Sequence, residues 1–284
     1  MRGGGRGPRR QPREGGGTQT MNLAGKVVLV TGASSGIGAA VARAAAAAGA
    51  ALLLSGRSRD RGAGVARDIA AAGGRAEFLA GDLTDPAFAD RLVEAAADRF
   101  GRLDVLVNNA GIIHRATVDR TTDAQWHETM AVNLHAVFYL SRAAVRRMQR
   151  QGGGGAIVNV ASDWGLVGGR DALAYCASKG AVVQMTRAMA LDHAEENIRV
   201  NAVCPASVDT PMLRWSADLF KGDKSVEETL EDWGKMHPVG RVARPEEVAE
   251  VIVFLAGPRA SFVTGGDYKV DGGMLAALGV RLPD

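Results

Sequence analysis

Seven short apolar runs recur along the chain, separated by longer segments in which apolar residues return every three or four positions. The runs fall at residues 26–31, 51–55, 76–80, 104–108, 156–161, 198–203 and 268–270. Each is too short for a buried helix, and as short, largely apolar runs they read as buried strands. Helical periodicity fits residues 37–48, 86–100, 123–150, 173–193 and 245–256. Pro86 and Pro245 sit where a first helical turn tolerates proline, and Gly49 and Gly257 where helices end. This alternation predicts one doubly wound α/β domain, a parallel seven-stranded sheet with helices on both faces. No repeat or linker divides it, and residues 152–155 read as a turn between a helix and a strand.

Composition sets the limits. Of 284 residues, 46% are hydrophobic, enough for a sizeable core. No uncharged apolar run approaches the ~18 residues of a membrane span, so no membrane partner is expected. Cys176 and Cys204 are the only cysteines, too few for a disulfide framework, which makes the cytoplasm the expected compartment. The net charge of +3 is misleading. Residues 1–20 carry Arg2, Arg6, Arg9, Arg10 and Arg13 against Glu14, a net +4, leaving the rest at −1. A nucleic-acid binder carries its basic face on the folded domain, so no nucleic-acid partner is expected. Segment 1–20 has neither an apolar signal core nor an amphipathic pattern. Its Gly/Arg-rich composition predicts a disordered leader ahead of a domain over 21–284, with Met21 as its natural first residue. The alternative is a basic arm that touches acidic surfaces. His114, His127, His135, His193 and His237 lack metal-ligand spacing, so no metal is expected.

The first run passes into Thr31-Gly32-Ala33-Ser34-Ser35-Gly36-Ile37-Gly38 and then a helix. Glycines at such a junction let backbone N–H groups and a helix N-terminus approach a pyrophosphate. The spacing is Gly-x3-Gly-x-Gly, neither the G-x-G-x-x-G fingerprint nor a Walker loop. A strand-to-helix turn without a ligand is the bland alternative.

This loop resembles the cofactor loop of the short-chain dehydrogenase/reductases. Further motifs stand in that family's order between about residues 23 and 273: Asp82-Leu83, Asn108-Asn109-Ala110-Gly111, Asn133, Ser162, Tyr175-x3-Lys179 and Pro205. The resemblance implies a Rossmann-type fold and an NAD(P)-dependent alcohol dehydrogenase or carbonyl reductase acting on a small molecule. It implies Asn133, Ser162, Tyr175 and Lys179 as the catalytic set. As cofactor contacts it implies Gly32, Ser34, Ser35, Gly36, Ile37 and Gly38 in the loop, then Asp82, Leu83, Asn109, Ala110 and Gly111. Tyr175, Lys179, Pro205, Val208 and Thr210 complete that set. Asp82 would accept from the adenine amino group; a turn or cap role is its competitor. Asn108 is implied to tie neighbouring strands. The family commonly has Pro-Gly where this chain has Pro205-Ala206, and Ala is less comfortable at positive φ, so that loop is expected to differ. A homotetramer is implied, with a homodimer as the alternative.

An acid at the end of the second strand would accept from the ribose 2′-OH and repel a 2′-phosphate. Here the strand ends in Gly56-Arg57-Ser58-Arg59, and a guanidinium grips phosphate with two parallel hydrogen bonds. NADP(H) is therefore the expected cofactor, with Arg57 as main contact and Ser55 or Arg59 assisting, and NAD(H) as the alternative. Arg57 merely covering the adenine ring is the competing reading.

Tyr175 and Lys179 are four apart in a helical segment and share a face. A free phenol, with a pKa of about 10, is a poor base at neutral pH. A neighbouring ammonium lowers that value and suits Tyr175 to general acid/base work. The resemblance gives Lys179 a second task on the nicotinamide ribose. It has Asn133 bend its helix, hold a water against Lys179 and link Tyr175 to a proton relay. Ser162, at a strand exit, would hold the substrate oxygen where charge develops; no G-x-S-x-G elbow surrounds it. Cys176 is expected to be a small core residue. Asp163 and Trp164 are substrate-pocket candidates, as are Met212 and Trp215 in a lid over about 211–240 that also holds Leu219, Phe220 and Trp233. Those lid residues read equally well as an amphipathic helix pair packed on the core. The rival from another class is a catalytically silent dinucleotide-sensing regulator on the same fold, which would be expected to lack part of the catalytic set. An enoyl reductase of the same superfamily would have a longer Tyr-to-Lys step, and a sugar-nucleotide epimerase a differently spaced glycine loop.

Overall fold

The computed structural model describes residues 22–276; the leader at 1–20, Met21 and the last stretch of the domain, 277–284, lie outside the described residues. Seven strands form one parallel sheet: β1 Val27–Thr31, β2 Ala51–Gly56, β3 Arg75–Ala80, β4 Val105–Asn108, β5 Gly155–Val160, β6 Ile198–Pro205 and β7 Asp267–Val270. Their order is β3-β2-β1-β4-β5-β6-β7. Nine α-helices lie among the described residues: α1 Gly36–Ala47, α2 Arg59–Ala71, α3 Pro86–Phe100, α4 Asp123–Met130, α5 Ala136–Gln151, α6 Leu173–Asp192, α7 Pro211–Phe220, α8 Val226–Gly234 and α9 Pro245–Ala256.

The two-residue period of a strand explains why both faces are apolar. Val28 and Val30 of β1 enter one core with α1 and α9, while Val27 and Leu29 enter another with α3 and α5. Leu52 and Leu54 against Leu53, and Val105 and Val107 against Leu106, divide in the same way. Helix starts follow local chemistry. Asp85 caps α3 by accepting from Ala87 N, with Pro86 in the first turn, while Thr122 with Gln125 and Ser225 with Glu228 form capping boxes on α4 and α8.

Three features sharpen the sequence reading. The helix expected over 123–150 is interrupted by a π-helical turn, Ala131–His135, between α4 and α5. The segment 211–240 contains two short amphipathic helices, α7 and α8, the helix pair that the sequence offered beside the lid. Finally, β6 continues through Pro205, and Ala206 does not have positive φ, so this loop avoids the strain expected of Pro-Ala. No helix among the described residues is long and apolar enough to cross a membrane.

The strand order reverses between β1 and β4, because β2 and β3 lie to one side of β1 and the later strands to the other. Parallel register keeps the strand exits level: Thr31 pairs with Ser55, Asn108 with Asn159, and Val160 with Val203. The helices that follow β1 and β4 leave toward opposite faces, and a crevice opens at that switch point.

Candidate active site

A cleft of about 670 Å³ lies along these strand exits. Its floor is the turn after β1. Gly32 has φ +63, and a Cβ there would lie 2.8 Å from Ala110 Cα; Gly36 has φ +52, and a Cβ there would lie 3.0 Å from Thr210 Cγ2. Only glycine gives this close approach of three loops. Asn109 fixes the turn from behind, its Nδ2 donating to Thr31 O at 2.9 Å and Gly32 O at 3.2 Å. Thr31 Oγ1 accepts from the N–H groups of Asn109 and Ala110. Ser35 is the N-cap of α1 but makes no side-chain cap bond, so the first N–H groups of α1 stay available beside the cleft. A glycine cradle leading to an uncapped helix start is what an anionic dinucleotide linkage needs, and the residues present fit such a group.

Gly32, Ser34, Ser35, Gly36 and Ile37 line the cleft. Gly38 does not: a Cβ there would collide with Asn109 Nδ2 and Gly32 O, so it is a packing glycine that lets α1 lie against the β1 turn. Beyond the turn, Arg57, Ser58, Arg61, Asp82 and Leu83 form one end of the cleft. Ser55 is wholly buried and donates to Leu79 O at 2.8 Å, and Arg59 does not line the cleft. The expected helpers of Arg57 are thus replaced by Ser58 and Arg61, which are themselves linked by a 3.1 Å hydrogen bond. Asp82 Oδ1 accepts from both Thr84 N and Thr84 Oγ1. These bonds, with a smaller contribution from the Arg57 charge, lower its pKa. It is a turn residue and a wall of the cleft at once.

The other wall holds Ser162, Asp163, Trp164, Tyr175 and Lys179, with Pro205, Val208 and Thr210 above the glycine turn. Tyr175 and Lys179 come from the first turns of α6, one helical turn apart. Lys179 is 4% exposed and donates to Val160 O at 2.8 Å. Burial lowers its pKa to about 8. Tyr175 differs from the sequence expectation. Although the residue is only half-buried, desolvation of its hydroxyl pushes its pKa up to about 12, and a hydrogen-bonding contribution from Ser162 offsets only part of that. Asp163 raises it further. The ammonium stands 5.7 Å from the phenol ring centre and is turned to the Val160 carbonyl, so in the protein alone burial outweighs the cation.

Ser162 Oγ donates to Asp163 Oδ1 at 2.8 Å. Asp163 is 5% exposed, and burial raises its pKa. Asn133 sits in the π turn and does not line the cleft. Its Oδ1 accepts from Ile112 N at 2.8 Å, and its Nδ2 donates to Ile112 O and Ser178 Oγ. A Cβ on Gly111 would lie 3.4 Å from Asn133 Oδ1 and 3.5 Å from Lys179 Nζ. Asn133 is therefore a positioning residue: it holds the β4 exit, including Ala110 and Gly111, against the base of α6. Asn108 plays the expected structural part, its Nδ2 donating to Ser141 Oγ and Asn159 Oδ1.

Helix α7 roofs the cleft with Met212, Leu213, Ser216 and Phe220. At 100° per residue these form one face, and Trp215 falls on its flank, 48% exposed and outside the cleft. Of the residues expected in the lid, Met212, Phe220 and Trp233 reach the cavity, and Trp215 and Leu219 do not. Cys176 is not a core residue either: half-buried, its Sγ accepts from Gly169 N at 3.3 Å and steadies the loop before α6. Sequence reasoning missed Arg115, Arg61, Met236 and Met274, all lining the cleft. For Arg115 the only available signal was its place just after the Asn108–Gly111 exit, because loop periodicity carries no facing information.

Comparison with known proteins gives the following. Residues 32–275 match the family model described as Enoyl-(Acyl carrier protein) reductase. The chain is 43% identical over 255 residues to cis-4-hydroxycyclohexanecarboxylate dehydrogenase of Sinomonas cyclohexanicum, covering 89% of this chain and 98% of the relative. It superimposes with a TM-score of 0.83 and 43% identity on a Beutenbergia cavernae protein, provisionally named an NAD(P) dependent gluconate 5-dehydrogenase, that holds NADP at low occupancy; 90% of this chain and 99% of that one are covered. A short-chain type dehydrogenase/reductase from Mycobacterium marinum aligns with a TM-score of 0.84 at 35% identity, covering 90% and 98%.

Proposed function

Because the chain belongs to the short-chain dehydrogenase/reductase family, we propose that it moves a hydride reversibly between NADP(H) and a secondary alcohol or ketone of a small molecule, with Tyr175 as the proton donor and acceptor. One observation carries the reading: Ser162, Tyr175 and Lys179 share one wall of the cleft whose floor is the glycine cradle. The dehydrogenase names of the relatives support the reaction class.

When bound, the dinucleotide supplies or accepts the hydride and, when oxidised, brings a positive charge. The chain's own residues do the rest. The Gly32–Gly36 turn and the start of α1 hold the pyrophosphate. Arg57, with Ser58 and Arg61, receives the 2′-phosphate; no carboxylate stands at residue 56 or 57 to repel it. Lys179, one of its three N–H bonds spent on Val160 O, directs the others to ribose hydroxyls. Ser162 holds the substrate oxygen. Tyr175, a neutral phenol at pH 7 whose pKa burial raises further, would donate its hydroxyl proton to the carbonyl oxygen of a bound ketone. In the opposite direction it takes the alcohol proton as a phenolate. Trp164, Met212, Trp233 and Met236 give the substrate end of the cleft an apolar lining. A cytoplasmic homotetramer is part of the same reading, and sedimentation of the purified protein tests the assembly.

The deciding experiment follows NADPH and NADH absorbance with ketones, hydroxy acids, β-ketoacyl thioesters, an enoyl thioester, sugars and steroids. Turnover of a ketone or alcohol with higher kcat/KM for NADPH is expected. Tyr175→Phe should lower kcat by about 10²–10⁴ while fluorescence titration shows cofactor binding retained. Substantial kcat in that variant would remove Tyr175 from its role. Reduction of the enoyl thioester alone would replace the alcohol/ketone reading. Cofactor binding with no turnover of any compound would favour the silent sensor.

A further inference from the structure

Arg115 is a cation in the cleft that the reaction just described does not use. It lies in the loop after β4, and a parallel bridge between Ala116 and Ala172 ties that loop to the residues entering α6. Its guanidinium carbon stands 4.9 Å from the ring centre of Trp164 and 4.7 Å from that of Phe220. Rings on a guanidinium fix its plane and leave its N–H bonds pointing outward along that plane. Those bonds have no protein acceptor. Arg115 makes no hydrogen bond or ion pair among the described residues, and its Nε is buried without a partner. Other arginines are closely paired, as where Arg241 reaches Glu247 at 2.7 Å and Arg187 reaches Asp267 at 2.7 Å; Arg142, which also has an unpartnered Nε and stacks on Phe138 and Tyr139, does not line the cleft. Asp171 attracts Arg115 at longer range, but burial wins and lowers the guanidinium pKa. A partly desolvated cation facing a cavity without a partner is a costly arrangement unless something enters to satisfy it.

Its position says what should enter. Trp164 meets Tyr175 edge-on, with ring centres 6.2 Å apart. Two ring contacts therefore separate the guanidinium from the phenol, a distance within the length of one small molecule. We propose that Arg115 is a specificity-determining residue that receives a carboxylate on the substrate, so that this cleft prefers hydroxy acids and keto acids over neutral alcohols and ketones. The proposal rests on the alcohol/ketone reading above. A carboxylate offers two coplanar acceptors to the outward edge of a stacked guanidinium, the geometry of a bidentate pair. Because Phe220 ends α7, a carboxylate held at Arg115 would also steady the roof of the cleft.

The competing role is a rivet: Arg115 holding Phe220 to Trp164 without touching substrate. The test compares wild type, Arg115→Met and Arg115→Lys in two assays. In the first, kcat/KM is measured with NADP⁺ and NAD⁺ for 3-hydroxybutanoate, gluconate and 4-hydroxycyclohexanecarboxylate, each against its neutral amide. The expected result is an acid-over-amide ratio well above one in wild type, reduced at least about tenfold in Arg115→Met and partly restored in Arg115→Lys. In the second, the thermal midpoint of the protein with cofactor is followed during titration with cyclohexanecarboxylate or cyclohexanecarboxamide, neither of which can react. Wild type should be raised by the carboxylate alone, and Arg115→Met by neither. A wild-type ratio near one, equal losses for acid and amide in Arg115→Met, or no carboxylate-specific shift in wild type overturns the proposal. The second assay needs no turnover. A carboxylate-specific shift without oxidation of any alcohol would sink the proposed reaction while leaving Arg115 as a carboxylate receptor.

Discussion

Lys179→Met is expected to stabilise the protein while disabling it. The ammonium is 4% exposed and has one hydrogen-bond partner, Val160 O. Burial takes its pKa from 10.5 to about 8. At about 1.4 kcal/mol for each tenfold change, keeping that proton in the folded state costs about 3 kcal/mol below pH 8. Methionine fills similar volume without the charge and forfeits a hydrogen bond with a net worth of about 1 kcal/mol. The variant should thus gain about 2 kcal/mol at pH 7, a rise of about 4–8 °C in Tm for a domain of this size. The pH dependence supplies the sharper check. Between about 8 and 10.5 the folded protein has released the proton while the unfolded chain retains it. The unfolded state then binds more protons, and wild-type stability rises with pH through that window. The advantage of Lys179→Met should shrink by about 3 kcal/mol from pH 8 to 10.5. Paired thermal scans across that range measure it, and Tyr175, common to both proteins, largely cancels in the difference. A variant less stable than wild type at pH 7, or two parallel curves, would refute burial as the cause of the depressed pKa. Turnover should fall in either case, because the group that anchors the ribose is gone.

Further expectations follow from single contacts. In the protein without cofactor, ultraviolet titration of wild type against Tyr175→Phe should show one phenol that stays protonated well past pH 10, given a pKa of about 12; ionisation near neutrality would mean the ammonium, not burial, governs it. Gly38→Ala should cost about 1–3 kcal/mol in thermal unfolding and weaken cofactor binding, since its Cβ must displace Asn109 or the Gly32 carbonyl; an unchanged midpoint would contradict the packing role. Arg57→Ala should lower kcat/KM for NADPH at least about tenfold and leave NADH nearly unaffected; equal losses with both would assign Arg57 to the adenine ring. Asn133→Ala leaves the Ile112 N–H and C=O without their partner and should destabilise by about 2–3 kcal/mol. If Asn133 instead touched substrate, kcat would fall without a thermal change.

Most of the architecture was legible from local chemistry. All seven strands lie within two residues of their expected starts and ends; β1, β2, β4, β5 and β6 are buried along nearly their whole length, which keeps them mostly apolar, while the edge strands β3 and β7 expose Arg75, Glu77 and Lys269. The glycine turn was legible because Gly32 and Gly36 need positive φ. Helix α2 was not named, since its polar face is broad and it packs through few apolar residues, Val65, Ala66 and Ile69. A bend at Asn133 was expected from the family resemblance alone; periodicity could not show the π turn, because it accompanies what Asn133 finds across the fold at Ile112 and Ser178.

The candidate site divides along the same line. Tyr175 and Lys179 share a helix, so their spacing alone fixed their common face. Whether the phenol is acidic depends on burial and on where the ammonium points, and Val160, fifteen positions upstream of Tyr175, took that ammonium. Trp215 and Met212 looked alike in the chain, and only the docking of α7 decided which one faces the cavity. The sequence by itself determined the sheet, the glycine cradle and the Tyr–Lys pair, because those follow from periodicity and backbone sterics within a few residues. Tertiary structure alone decided the direction of the Tyr175 pKa shift, the withdrawal of Gly38 and Asn133 from the cleft, and the setting of Arg115 between two rings. Charge and solvation are properties of the whole surroundings, and those surroundings are assembled from residues far apart in the chain.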